Sequence, residues 1–206
     1  MMVFGLFEPH VFLTFLGAGI LLNLTPGADV AFTMASGLRG GKRGGIAAAI
    51  GITTGSLVHT IVAAFGLAAV FVTYPLAFDT VRYLGAAYLL YLAWRAWTQL
   101  VTVAKPKGAP TAKQAITQGF LTNILNPKVA LFILAFLPQF TDPQNGPVWL
   151  QMLILGGLFS STGIIVTITY GLLAGTLSDK LHSYQRPFNK ITALIFGGLA
   201  ARLAWQ

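Results

Sequence analysis

Six long apolar runs dominate the chain, at about residues 10–36, 46–72, 81–101, 115–137, 148–176 and 190–205. Several reach the roughly 20 residues that a helix needs to cross a bilayer. A transmembrane barrel would instead show strands of about ten residues with alternating polarity, and these runs are continuous. Only 9% of the residues are charged, against about 25% in soluble domains. The expected fold class is therefore an all-α integral membrane protein with six transmembrane helices. Nothing outside the runs is long enough for a second domain, so residues 1–206 read as one transmembrane domain. No basic segment precedes the first run, which reads as a retained helix and not as a cleaved signal.

The net charge of +8 invites a nucleic-acid reading, but the distribution of charge opposes it. Arg39, Lys42 and Arg43 lie between runs one and two. Lys105, Lys107 and Lys113 lie between three and four, and Lys180, Arg186 and Lys190 between five and six. The opposite ends carry only Arg82 and Arg202, with Glu8, Asp79 and Asp142. Lys and Arg in short connections mark the cytoplasmic side. The expected placement is multi-pass with both termini outside the cytoplasm, in the periplasm if the host is a Gram-negative bacterium. Trp94, Trp97, Trp149 and Trp205 fall near run ends, where aromatic belts form. The absence of cysteine excludes disulfides, thiol chemistry and cysteine-bound metal.

The spacing suggests a repeat. Pro26 in the first run and Pro127 in the fourth are 101 residues apart (127 − 26), about half the chain. Each closes a polar stretch, Asn23-Leu-Thr-Pro26 and Asn123-Ile-Leu-Asn-Pro127. Run three holds Arg82, Arg95 and Trp97, and run six holds Lys190, Arg202 and Trp205 at similar intervals. Two three-helix units, about 1–103 and 104–206, are the expected repeats, with helices 1 and 4 broken. An odd number of helices per unit puts the copies in opposite orientations, the plan of many secondary transporters.

Both breaks fall near the middle of their runs. A proline there removes a backbone donor and frees a carbonyl. In hydrocarbon, such irregular backbone survives only when buried in protein or lining a watery cavity. The residue types suit restarted helices, with Thr25 and Asn126 as N-caps and Pro26 and Pro127 as first helical residues. Each restart would aim N–H groups and a positive dipole end at the midplane, where a carboxylate can bind. Asp29 in its first turn suits that dipole; Lys128 in the other does not. Intramembrane charges cost at least about 2.5–3.5 kcal/mol at a helix centre. The partners open to Lys128 are Asp29, a substrate carboxylate, or both in turn. A permanent Asp29–Lys128 pair that locks the halves together is the structural alternative, and snorkelling to opposite faces is another.

Other polar residues read more quietly. Gly51 with Gly55, and Gly171 with Gly175, are spaced for close helix packing. His59 can relay protons or be a packed, hydrogen-bonded histidine. Ser160, Ser161 and Thr162 mark a polar stripe on run five, but hydroxyls also satisfy themselves on their own helix.

At the breaks the chain resembles the LysE/RhtB amino-acid exporter family. Asn23-Leu-Thr-Pro-Gly-Ala-Asp29 resembles that family's N-terminal signature, and Asn126-Pro-Lys128 its second conserved element. A glycine-rich basic loop, Gly37-Leu-Arg-Gly-Gly-Lys-Arg-Gly-Gly45, follows the first motif as it does in the family. The family often has a second proline after the glycine, where this chain has Ala28. The resemblance implies an inner-membrane efflux carrier for amino acids or close derivatives, coupled to the proton motive force.

The residues by themselves point to a secondary carrier for a small zwitterion. One acid, one base and two helix N-termini match an ammonium and a carboxylate. A carrier for lysine or arginine needs a further acid, and none lies in the runs, so threonine, homoserine or branched-chain cargo is favoured. The candidate substrate-binding and coupling residues are Asn23, Thr25, Pro26, Gly27, Asp29, Asn123, Asn126, Pro127 and Lys128. A metal-cation exporter would need several ligands at one place, whereas His10, His59 and His182 are scattered. An enzyme would need a nucleophile with its base or a metal cluster, and neither is present. A passive channel with the same polar midplane stays open as an alternative. The expected partners are a zwitterionic amino acid, the lipid bilayer and a coupling proton, with no cofactor and no nucleic acid. Glycine-rich faces can also serve between subunits of a homo-oligomer.

Overall fold

The protein is described by a computed structural model covering residues 6–67, 75–98 and 109–205; the side chains of 67, 75–78, 81–82, 175–188 and 202–203 are outside the description. Lys105 and Lys107 therefore lie outside the described residues, as do the side chains of Arg82, Lys180, His182, Arg186 and Arg202, and Gly175.

All regular structure among the described residues is helical. Helix α1 (Pro9–Leu24) is followed by an extended step and then by α2 (Ala28–Val62). A π-helical turn, Ala63–Leu67, continues α2. Helix α3 spans Pro75–Thr98. Helix α4 (Ala112–Ile124) stops at the second break, and α5 (Pro127–Leu131) restarts it and runs on through a π-helical turn at Phe132–Phe136. Helices α6 (Val148–Leu172) and α7 (Ala174–Trp205) complete the chain.

Two expectations about connections need correction. The Gly37–Gly45 stretch is helical on both sides of a single reversal at Gly41, which has φ 59° and ψ −155°. That backbone region is open to glycine at little cost. The chain doubles back there, bringing Gly44 against the carbonyl of Ser36, so Arg39, Lys42 and Arg43 sit on helix and not on a loop. Similarly, Lys113 lies in the first turn of α4, and positions 180, 186 and 190 lie within the continuous helix α7. A fall in hydropathy marks where a helix leaves lipid, not where its hydrogen bonds stop.

By length and composition, Val148–Leu172 can cross a membrane, and so can an apolar stretch within Ala28–Gly66, which holds the break at Gly41. Ala112–Ile124 with Pro127–Phe140, bent by 52°, makes a third if the pair is one span. Pro9–Leu24 and Asn189–Ala201 are shorter apolar helices. The surface fits lipid: Leu13, Leu84, Ile165 and Leu194 are each more than 60% exposed, while Ser56, Asn123, Gln151 and Ser160 are buried. Trp94, Trp97, Trp149 and Trp205 are all exposed. A soluble protein would bury the first set and expose the second.

Helix α2 packs on α4 and α6, α3 packs on α7, and α1 packs on α6. Apolar side chains gain little from leaving lipid for one another, so close backbone approach carries much of this packing. Gly51 lies against the carbonyl of Ile116, and a Cβ on Gly119 would sit 2.6 Å from the carbonyl of Ala48. Gly37 and Gly45 both meet Gly171. The packing role expected for Gly51, Gly55 and Gly171 is what the structure shows. Gly51→Ala is therefore expected to cost about 1–3 kcal/mol by overpacking, lowering Tm in detergent by at least about 2 °C. Gly157→Ala, with nothing within 4 Å of the added carbon, should leave Tm unchanged or raise it. Equal melting of the two variants would contradict the close α2–α4 contact.

Candidate substrate site at the junction of two broken helices

The two breaks are built differently. At the second, Asn126 caps α5 as expected: its Oδ1 accepts from Lys128 N at 3.0 Å, and Pro127 is the first helical residue. At the first, Thr25 is not the N-cap. Its hydroxyl donates back to Leu21 O at 2.6 Å, and its N–H also closes onto α1. Thr25 thus ends α1, and Pro26 stays in the extended step before Gly27, which precedes Ala28 at the start of α2. The residue before a proline is biased toward extended backbone, and here that bias stops a helix instead of opening one. Ala28 takes the first helical position.

Freed carbonyls at a broken helix end need donors when no water is near. At the end of α1 they find them from distant parts of the chain. Lys128 Nζ donates to Leu22 O and to Thr25 O, each at 2.8 Å. Tyr170 Oη donates to Leu24 O at 3.0 Å. The negative end of α1 thereby offsets the cation that α5 places unfavourably at its own N-terminus. Lys128 and Asp29 make no direct ion pair in this structure; the Lys128 ammonium is held by the two carbonyls.

Asp29 occupies the first turn of α2. Asn123 Nδ2 donates to its Oδ2 at 2.8 Å, while its Oδ1 is buried without a partner. His59 Nε2 lies 3.3 Å from the carbonyl of Asn123, so the histidine is packed against the second break. Asn23 mirrors Asn123: it donates to Phe159 O at 3.1 Å and to Thr162 Oγ1 at 3.0 Å. Between these groups, Ser56 Oγ meets Ser160 Oγ at 3.0 Å across the α2–α6 contact.

These side chains enclose a cavity of about 30 Å³, enough for a water or two and too small for an amino acid. Asn23, Thr25, Gly27, Asp29, Asn123, Asn126 and Lys128 line it. Pro26 and Pro127 do not; they line a wider cleft of about 460 Å³ that shares Thr25, Gly27, Asn126 and Lys128 with the cavity. Thr53, Ser56, Ser160 and Thr167 also line the inner cavity; Ser160 was read only as part of a polar stripe, and none of the four was placed in the site. Ser56 and Ser160 are separated by 104 residues, close to the interval between the two prolines, and that spacing was the available signal. Among the described residues, no three of His, Cys, Asp or Glu gather as a metal site.

A half-buried acid, a half-buried base and two interrupted helices surround a small polar cavity. The family model for the LysE type translocators matches residues 20–206. The chain belongs to that family. A homoserine/homoserine lactone efflux protein of Salmonella typhimurium is 31% identical over 188 residues, covering 89% of this chain and 91% of that protein. A leucine efflux protein of Klebsiella pneumoniae is 28% identical over 200 residues, covering 94% of each. An uncharacterized membrane protein of Vibrio cholerae is 30% identical over 199 residues, covering 95% of this chain and 97% of the other. No solved structure matches the chain. This LysE type translocator is a membrane transport protein and not an enzyme. The match includes both breaks and the residues that line the cavity between them.

Proposed function

We propose that the protein exports small neutral amino acids across the bacterial inner membrane, exchanging cargo for protons at Asp29. The observation that carries this reading is the half-buried carboxylate at the junction of two broken helices, with one oxygen paired to Asn123 and the other unpartnered. Such an oxygen can hold a proton in the closed state and the cargo's ammonium once the cavity opens. One carboxylate that takes either cation, but not both, makes the exchange obligatory. The names of two relatives agree in chemistry, since leucine and homoserine both have uncharged side chains.

Six crossings in two inverted repeats fit the contacts. Asn23 and Asn123, 100 residues apart (123 − 23), reach α6 and α2 respectively. Gly163 lies against Asn23, and His59, which is 104 residues earlier (163 − 59), lies against Asn123. Ser56 meets its counterpart Ser160, as paired residues on a pseudo-two-fold axis do. The bias of Lys and Arg toward alternate ends of the apolar runs supports both termini in the periplasm in this arrangement. The cavity, at about 30 Å³, is too small to pass an amino acid in this conformation, which favours a carrier over the passive channel. A metal cargo has no ligand cluster to receive it among the described residues.

Counterflow in proteoliposomes tests the proposal. Vesicles preloaded with unlabelled leucine should transiently accumulate labelled leucine above its external concentration. Simple equilibration without overshoot would identify a channel, and no uptake of leucine or homoserine would refute the cargo class.

A further inference from the structure

Hydroxyl groups on membrane helices commonly spend their proton on a carbonyl of their own helix. The threonines that line the inner cavity do so. Thr25 Oγ1 donates to Leu21 O at 2.6 Å, Thr53 Oγ1 to Ala49 O at 2.9 Å and Thr167 Oγ1 to Gly163 O at 2.8 Å. Ser56 on α2 and Ser160 on α6 differ. Their hydroxyls meet each other, Oγ to Oγ at 3.0 Å, instead of a carbonyl.

Two hydroxyls carry two protons, and one oxygen–oxygen contact uses only one of them. The second is left for whatever occupies the cavity, which both serines line. Either oxygen can be the donor within the pair, so the spare proton can sit on α2 or on α6. Ser56 and Ser160 are 5% and 3% exposed, and a buried donor without an acceptor is costly.

An acceptor is left over beside this donor. Asn123 is 1% exposed; its Nδ2 is committed to Asp29, and its Oδ1 is buried without a partner. A Cβ on Gly55, the residue before Ser56, would sit 2.8 Å from that oxygen. A spare donor next to a spare acceptor matches a group that both accepts and donates, and a hydroxyl is one. Because the same amide holds Asp29, a hydroxyl here and an ammonium on Asp29 fall within the span of one small amino acid.

We propose that Ser56, Ser160 and Asn123 form a seat for a hydroxyl on the cargo side chain, so that the carrier favours hydroxylated amino acids over aliphatic ones of the same shape. The inference rests on the export reading, in which the cavity opens to admit cargo.

Threonine and valine test it, because they differ by a hydroxyl in place of a methyl group. Each is used as a competitor of labelled-threonine counterflow in proteoliposomes. In the wild type threonine should compete at least about tenfold better than valine, which leaves both spare groups unpaired. Replacing both serines, Ser56→Ala with Ser160→Ala, should lower that ratio about fivefold, the scale of one hydrogen bond, through weaker competition by threonine. Each single variant keeps one hydroxyl with its proton free and should keep most of the preference, whereas a role confined to the Ser56–Ser160 contact would be lost in either. The double variant Ser56→Cys with Ser160→Cys has weak S–H donors in the same places. It should lie between, and it reports on the seat if the alanine pair does not insert. A wild type that does not prefer threonine, an unchanged ratio in both double variants, or full loss in both single variants overturns the seat. Threonine counterflow absent while leucine counterflow proceeds also overturns it and leaves the export reading standing; absence of both removes both.

Discussion

Asp29→Asn is expected to abolish export driven by a pH gradient while leaving exchange between two loaded compartments measurable. The substitution keeps the shape of the side chain and an oxygen for the Asn123 amide, which sits 2.8 Å from Asp29 Oδ2. It removes the capacity to alternate between proton and ammonium. An amide oxygen still accepts from an ammonium, but without charge assistance, and hydrogen bonds to charged groups are worth about 1.5–3 kcal/mol. The half-saturation concentration for exchange should therefore rise by about ten- to a hundredfold. Uphill export should fall to the level of empty liposomes. Wild-type uphill export by Asp29→Asn would remove the carboxylate from coupling and leave it a charge in the first turn of α2.

Lys128→Met should produce the largest loss of stability. The ammonium is the donor for two carbonyls at the broken end of α1. Methionine fills the volume but supplies no donor, and a buried polar group left unsatisfied costs about 1–3 kcal/mol. With two carbonyls affected, Tm in detergent should drop by at least about 4 °C. Adding Asp29→Asn should not restore it, because the two charges are not paired. Recovery in the double variant would show that Asp29 and Lys128 stabilise each other directly in the membrane, and would return the pair to a structural role.

These expectations divide along the same line as the legibility of the sequence. Asn126-Pro127 announced a helix start because cap and proline act on their own backbone, and Asp29 followed from its place in the next turn. Thr25 carried the same local signal and did the opposite. The difference lies in Gly27, an added extended residue that moved the restart beyond Pro26, and in a hydroxyl that turned back to Leu21. The partners of Lys128 were not legible at all. They are backbone carbonyls more than 100 residues away, and a carbonyl has no residue type to read. Ser56 and Ser160 stand between these cases: each looks like an ordinary helix hydroxyl, and only the repeat interval sets the two apart. Gly41 was hidden among its glycine neighbours, where composition suggests a loop and one dihedral angle makes a turn.

Proton release on cargo binding is the most direct measurement of exchange at Asp29. Purified wild-type protein in weakly buffered detergent, at a pH where Asp29 is protonated in the empty state, should release protons when leucine is added, as read by a pH indicator. Asp29→Asn should release none at leucine concentrations that saturate it. Leucine binding by the wild type should also weaken as pH is lowered, and that dependence should vanish in the variant. Leucine binding without proton release across the pH range, or equal release by Asp29→Asn, would contradict competition between proton and ammonium for this carboxylate.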